Sequence, residues 1–464
     1  MPFWKPYKVP LLLTLVSFFL YSLFAYDLVR TDYIKLILLY CLLWFFFILI
    51  LKYAKDNIKF LTAIAFLSRA VFILAIPNLS QDFYRFIWDG RMLLEGFNPY
   101  LYTPESVIQS NVVFPINQAK ELYAGMGTLN GSHFTNYPPI NQLCFVIASL
   151  CSSHSILGSV IVLRLLIIAA DFGTFFYGKR LLKKLNLPVK NIFWYILNPF
   201  IIIELTGNLH FEGVMIFFLV WSLYLLHSGK WKWAAIVFAL SISVKLIPLL
   251  FLPLLFWYFT SINLTTQKSI LNLIVYYMII GITTLLLFAP FFSSEFVTNY
   301  TQTVGLWFQN FEFNASIYYI AREIGYWFRG YNEIALIGKI LPITVFLFVV
   351  SLAFFKRKID TKILLTNMLF AFSFYLFLST TVHPWYIATL LILSVFTKYK
   401  FPLAWSFLII LSYLAYINLN KADKSENLWI IAIEYSIVYA VFIWEVFIQK
   451  PIQYKEKVKS KRII

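Results

Sequence analysis

Apolar runs close to the length of a membrane crossing recur along this chain, and short connections rich in Lys and Arg separate them. A hydrocarbon core of about 30 Å needs roughly 20 apolar helical residues to span it. Only helices or closed barrels satisfy the backbone there. Runs fall near 9–26, 34–52, 58–77, 155–178, 190–206, 211–228, 232–260, 268–290, 333–355, 362–380, 385–397, 402–418 and 427–448. They predict an all-α polytopic membrane protein with a bundle of about 12–14 transmembrane helices. Composition agrees: 61% of residues are hydrophobic and only 13% charged, against about 25% charged in soluble domains. A soluble domain cannot hide that much apolar surface, and a disordered chain would not contain it.

The formal net charge is +17. In a soluble protein that balance would point to nucleic acid, but its placement here argues against one. Most cations fall in one alternating set of connections: Lys52 to Lys59, Lys179 to Lys190, Lys230 and Lys232, Lys268, Lys356 to Lys362, Lys398 and Lys400, and the tail from Lys450 to Arg462. The positive-inside rule makes this set cytoplasmic and puts both termini inside. Cys41, Cys144 and Cys151 lie in apolar context without metal or disulfide spacing. The first run has no small-residue cleavage pattern and reads as a retained helix.

Two places break simple counting. Residues 140–153 are too short to span comfortably, which predicts a re-entrant or surface helix. Residues 232–260 are too long for one helix and contain Lys245 and Pro248. Later parity fits if this stretch rises and returns as two half-helices, 232–245 and 247–260. Broken helices at membrane depth need protein or a water-filled cavity around them, and an intramembrane lysine there marks a cavity or a buried pair. Arg164 and Asp171, two turns apart in one span, predict an intramembrane polar network.

Non-lipid chemistry collects in the opposite connections, above all in the loop 78–139. From Gln81 to Leu94 the pattern predicts a short amphipathic surface helix with Asp82, Arg85 and Asp89 on one face. Gly96 and Asn98-Pro99 end it. Tyr137-Pro138-Pro139 forces an extended stretch before residue 140. From spacing alone Asp82 reads two ways: a solvated charge paired with Arg85, or a base held in a partly dry cleft.

The run Asp82-Phe83-Tyr84-Arg85-Phe86-Ile87-Trp88-Asp89-Gly90-Arg91, then Gly96-Phe97-Asn98-Pro99-Tyr100, then Tyr137-Pro138-Pro139, resembles the first-loop signature of bacterial GT-C glycosyltransferases. The similarity continues in Asn198-Pro199, in Gly207 to Gly213 (GNLHFEG), in Val244 to Pro248 (VKLIP), in Phe313 to Tyr318 (FNASIY), and in His383-Pro384-Trp385-Tyr386. These are multi-pass enzymes that use polyprenyl-phosphate sugars, many of them called mannosyltransferases. The resemblance implies a GT-C-like bundle with a long first catalytic outer loop carrying short surface helices. It divides the chain into two added helices (1–55), a catalytic module (56–400), and C-terminal helices with a basic tail (401–464).

It also implies an activity: transfer of a hexose, mannose by the family's usual name, from a polyprenyl-phosphate donor to an acceptor hydroxyl on a glycan or lipid-linked saccharide. The reaction would be extracytoplasmic, in a bacterial inner membrane. Asp82 is carried over as general base, which inverts the anomeric centre, with Asp89 second on the same face. Arg85, Arg91, Lys245 and His383 are the expected phosphate-binding residues. Trp88, Tyr137, Asn208, His210, Glu212 and Trp385 are the expected sugar or acceptor contacts, although the family usually has Asp where Glu212 stands. No cofactor is required. Asp82 with Glu212 leaves room for Mg²⁺ or Mn²⁺, since carboxylates suit either. The rival readings are a secondary transporter, which would explain the broken helix and the buried charges, and a non-catalytic membrane assembly protein.

Overall fold

The structure is a computed structural model, and it describes residues 8–54, 57–110, 115–152, 154–260, 266–309, 311–355, 359–420 and 426–449. The basic tail from Lys450 lies outside the described residues, as do Lys55, Lys356, Arg357 and Lys358. Among the described residues the fold is helical, with a single isolated parallel bridge between Phe313 and Thr381. Seven helices are long and apolar enough to cross a membrane: Lys8–Tyr26, Tyr33–Ala54, Ile156–Lys184, Gln267–Phe291, Ile334–Phe354, Thr361–Leu378 and Leu428–Ile448. An eighth span is the pair Pro199–Gly207 and Glu212–His227, bent by 114°. This is a multi-pass membrane protein.

The runs that hydropathy counts toward a bundle of about 12–14 helices are all helical, and seven of them, among the described residues, reach the length of a crossing as one unbroken helix. The other runs become shorter apolar helices, Pro139–Cys151, Trp231–Ile242, Ile247–Thr260, Pro384–Val395 and Phe401–Ile417. Hydropathy counts apolar residues and does not register where the backbone turns.

Two breaks lie inside the bundle, and each frees backbone carbonyls that lipid cannot satisfy. At the 114° bend the buried guanidinium of Arg164 caps the freed ends. Its Nε donates to Thr206 O at 2.8 Å, and its terminal nitrogens donate to Gly207 O at 3.0 Å and Ile73 O at 2.9 Å. A cation at helix C-termini is also favoured by the helix dipole. Two turns further along the helix of Arg164, Asp171 accepts from Arg69 at 2.7 Å, and Arg69 also donates to the carbonyls of Ala65 and Ile196. The expected network is therefore present, but Asp171 pairs with Arg69 and not with Arg164.

At the second break, between Ile242 and Ile247, the Pro139–Cys151 helix supplies the donors. The backbone N–H of Ile140 reaches Ser243 O at 2.9 Å, and the Asn141 amide reaches Val244 O at 2.8 Å. This helix has one docked face and leaves Leu143 and Leu150 exposed on the other.

The loop 78–139 folds into three short helices, Asp82–Leu94, Pro104–Gln109 and Ala119–Gly131, which lead into Pro139–Cys151. Asp82–Leu94 is not the surface helix expected from its pattern: residues Arg85 to Met92 are all buried. It lies on Pro139–Cys151, where a Cβ at Gly90 would come within 2.3 Å of Phe145 O. Gly96 ends it with φ of +79°, a left-handed conformation that glycine adopts without steric cost. Elsewhere on the same end of the bundle, Ile317–Arg329 holds Ile320, Trp327 and Phe328 outward, an apolar and aromatic face suited to a membrane interface.

The Arg69–Asp171 pair is fully buried on both sides. Breaking a buried pair by removing one partner costs about 3–5 kcal/mol. Asp171→Ala should therefore lower the unfolding temperature of the detergent-solubilised protein well below that of a change at an exposed lipid-facing position such as Leu285→Ala. Equal melting curves would remove the pair from the account.

Candidate active site

The site forms where the start of the loop meets both helix breaks. Asp82 is the first residue of its helix and stays partly exposed while its neighbours Phe83 and Arg85 are buried. It follows directly on a tie between loop and bundle, in which the Leu79 N–H donates to the Asn208 side-chain Oδ1 at 3.3 Å. Its own carboxylate accepts a hydrogen bond from Asn130 Nδ2 at 3.2 Å and, among the described residues, has no ion pair. Burial pushes its pKa above the ordinary carboxylate value. Lys245 and Asn130 pull it back down, and Glu212 adds to the rise.

Lys245 hangs from the second break, in non-helical backbone. Its ammonium pairs with Glu212, the fully buried first residue of Glu212–His227. The two breaks thus meet through this ion pair. Lys245 also lies 5.7 Å from the centroid of the Tyr386 ring.

The 208–211 turn between the bent helices is strained where the chemistry is densest. Leu209 is buried with φ of +63°, a region that bulky residues rarely occupy and that clusters at functional sites. The turn aims the buried His210 ring at Trp385, with centroids 3.6 Å apart and planes 21° from parallel. The other face of Trp385 carries His383 at 4.6 Å and 9°. A stacked wall of His210, Trp385 and His383 results, with Tyr386 edge-on to the last two.

The FNASIY segment holds that wall from behind. Phe313 N–H donates to Thr380 O at 3.0 Å, and Val382 N–H donates to Phe313 O at 2.8 Å. This bridge brings the Phe313 ring to 5.2 Å from His383. Asn314, at φ +45°, is fastened by its N–H to both Glu426 oxygens at 3.0 Å and by its amide to Glu434 at 3.3 Å. Burial, helped by the charge of Lys245, holds the His383 pKa down to about 3. The ring is neutral at neutral pH, so it can donate or accept a hydrogen bond but brings no positive charge.

Several expected site residues serve the scaffold. Asp89 is fully buried, paired with Arg85 Nε at 2.8 Å, and accepts from Gln142 Nε2 at 3.1 Å. Arg85 also donates to the carbonyls of Asn130 and His133. Arg91 reaches the carbonyls of Asn117 and His154 and the side chain of Gln118. Both arginines staple the loop, and among the described residues one guanidinium nitrogen of each is left without a partner. Trp88 is fully buried, with its indole N–H on Met92 Sδ at 3.1 Å. Asn208 precedes the helix that begins at Glu212 and does not share its face. Tyr137 stays near the carboxylates: its partly buried ring stands edge-on to Phe86, and the charges of Asp82 and Glu212 act on it.

Other residues join the site without a motif to announce them. Asn130 matches a glycosylation sequon, yet its amide holds Asp82. Gln142 fixes Asp89. Glu204, on the turn before the bend, accepts from Tyr413 at 2.9 Å and lies 3.7 Å from His210 Nε2.

Among the described residues no group of three or more His, Cys, Asp or Glu converges in a way that could hold a metal ion. Asp82 and Glu212 are two carboxylates, and Lys245 already lies on the second. Mg²⁺ asks for near-octahedral oxygen coordination, which this donor set does not fit.

Residues 25–261, just over half the chain, match the family described as alpha-(1->6)-mannopyranosyltransferase, N-terminal domain. The chain belongs to this family. The match starts at the end of the first helix and takes in Asp82, Asn130, His210, Glu212 and Lys245. A curated relative, alpha-(1->6)-mannopyranosyltransferase A of Mycobacterium tuberculosis, is 23% identical over 189 residues, 40% of this chain. The chain spans 34% of the length of that relative.

Gly90 lets the Asp82 helix lie against Pro139–Cys151, which in turn holds the Lys245 break. Gly90→Ala places a methyl group against Phe145 O and the Ser149 hydroxyl, and overpacking of this kind costs about 1–3 kcal/mol. The variant should melt lower than wild type and be cut faster by trypsin at Lys120. An unchanged cleavage rate would show that the two helices are not in close contact.

Proposed function

We propose that the chain is a membrane glycosyltransferase that moves a hexose, mannose by its family, from a polyprenyl-phosphate donor to an acceptor hydroxyl, with inversion, on the extracytoplasmic side. One observation carries this reading. Asp82 is a partly buried carboxylate without a salt bridge among the described residues, and it shares a cleft with the Lys245–Glu212 pair and the His210–Trp385–His383 wall. A general base needs this combination of access, a raised pKa and a fixed rotamer. The family and the name of the M. tuberculosis relative support the sugar and the linkage class.

In the proposed reaction Asp82 takes the proton of the acceptor hydroxyl. The acceptor oxygen bonds to the sugar C1 from the face opposite the phosphate, and the C1–O bond to phosphate breaks. Polyprenyl phosphate leaves with the bonding pair. Lys245 faces the anion that develops there, and the neutral His383 donates a hydrogen bond to phosphate or sugar. The aromatic wall stacks on the sugar ring, while Glu212 and His210 orient its hydroxyls. The connections rich in Lys and Arg lie at the end of the bundle away from Asp82, which supports a cytoplasmic tail and an outward cleft.

Asp82→Asn keeps the size and the Asn130 contact but cannot accept the proton. It should lower transfer from a polyprenyl-phosphate mannose to an α-mannoside by about 100-fold or more, the usual contribution of a general base. In a background lacking the native cysteines, Asp82→Cys should react with a membrane-impermeant thiol reagent in intact cells while a C-terminal cysteine does not. Full activity of Asp82→Asn would exclude the base, and labelling of both positions from one side would exclude the sidedness. A transporter or an assembly protein requires no transfer by wild type at all.

The pH profile adds a signed test. Only ionised Asp82 acts as base, so activity falls as pH drops through its raised pKa. The acid limb of kcat/KM should lie above the ordinary carboxylate value of about 4. Because the charge of Lys245 lowers that pKa, Lys245→Met should move the limb to higher pH as well as slow the reaction. A limb moving to lower pH would mean that another group titrates.

A further inference from the structure

The cleft asks for a cation that the recognised motifs do not provide. A sugar phosphodiester brings a negative charge to a region already holding Asp82, Glu204 and Glu212. Arg85 and Arg91 are tied into the loop, His383 is neutral, and Lys245 is shared with Glu212.

Arg30 stands apart from all of these. It lies in the connection between Lys8–Tyr26 and Tyr33–Ala54, at the same end of the bundle as Asp82. Asn78, four residues before Asp82, pins that connection by donating to Phe24 O at 2.7 Å and Leu28 O at 3.0 Å. Tyr26 adds a bond from its hydroxyl to Val71 O at 2.8 Å. Among the described residues Arg30 has no carboxylate partner; nearby Asp27 is paired with Lys35 instead. The central carbon of its guanidinium lies over the Tyr416 ring, 4.1 Å from the centroid.

Tyr416 leads from Arg30 into the site. It stacks on Tyr413 at 6.1 Å, the Tyr413 hydroxyl donates to Glu204, and Glu204 lies beside His210, which stacks on Trp385. Arg30 and Asp82 are both close enough to Tyr416 for their charges to act on it. A guanidinium stacked by its face on an aromatic ring keeps its N–H edge for bidentate bonds to an anion, which phosphate oxygens match.

We propose that Arg30 binds the phosphate of the lipid-borne donor at the membrane-side mouth of the cleft. This role rests on the function proposed above and adds the first helical hairpin to the machinery. The bound group is a phosphate ester attached to a lipid, and such a group has two sources: the polyprenyl donor and a bilayer phospholipid. The chain of contacts from Tyr416 through Tyr413 and Glu204 to His210 favours the donor.

The test measures binding of fluorescent polyprenyl phosphate, the leaving product, beside transfer kinetics, using full-length protein in neutral detergent. Asp82→Asn should bind the probe like wild type while failing to transfer. Arg30→Gln should weaken binding and raise KM for the donor by about tenfold or more, with kcat within about twofold, as expected for loss of a charge-assisted hydrogen bond. Arg30→Lys should fall between, and the melting temperatures of both Arg30 variants should match wild type. Unchanged binding and KM in Arg30→Gln overturns the proposal. So does a defect that appears only in bilayers containing phosphatidylglycerol and is absent in detergent, which assigns Arg30 to bulk headgroups. Failure of wild type itself to bind polyprenyl phosphate overturns the functional reading together with this one, whereas binding lost only in Arg30→Gln and kept in Asp82→Asn supports both.

Discussion

Backbone carbonyls released inside a membrane must find donors, and this protein is organised around two places where that happens. The bend at 208–211 and the break at 243–246 would each be untenable in lipid. Arg164 closes one and the head of Pro139–Cys151 closes the other. Both solutions gather polar side chains in the same region. Glu212 and Lys245 extend toward one another from the two broken segments and pair there. The loop helix then brings Asp82 over them. The reactive groups sit where they do because the backbone had already required a dry, hydrogen-bonded environment.

The electrostatics follow from the same burial. Partly shielded Asp82 stays short of full ion pairing, while Asp89, two turns further along the same face, is paired with Arg85. Two aspartates seven residues apart therefore have different surroundings: one orders the loop and the other remains available. The difference lies in depth along the helix, since Asp89 meets Gln142 in the buried middle and Asp82 stands at the partly exposed start.

Much of the fold was legible in the sequence because membrane crossing depends on a sum over many residues. The long apolar helices, the half-helices around Lys245 and the short helix after Pro138 all appear where periodicity and proline put them. The places where the runs break were not, since a run of apolar residues has the same hydropathy whether it stays straight or turns. Asp82 was singled out by its place just beyond a span and by family resemblance. The scaffold contacts of Arg85, Arg91 and Trp88 were not legible, because charge and aromaticity do not say which partner a side chain will meet. One tryptophan among 14 carries no mark of being fully buried. Asn130, Gln142 and Glu204 act through contacts with residues distant in the chain, so no local spacing could announce them.

The clamp on the lysine-bearing break has a consequence for homologues. Ile140 and Asn141 grip the oxygens of Ser243 and Val244, and every amino acid carries that oxygen. Side chains at 243 and 244 make neither bond, and being fully buried they are constrained by volume instead. Position 140 must supply an N–H, which excludes proline. Evolutionary drift along this motif should therefore be bounded by size at 243 and 244 and by the imino acid alone in the clamp at 140.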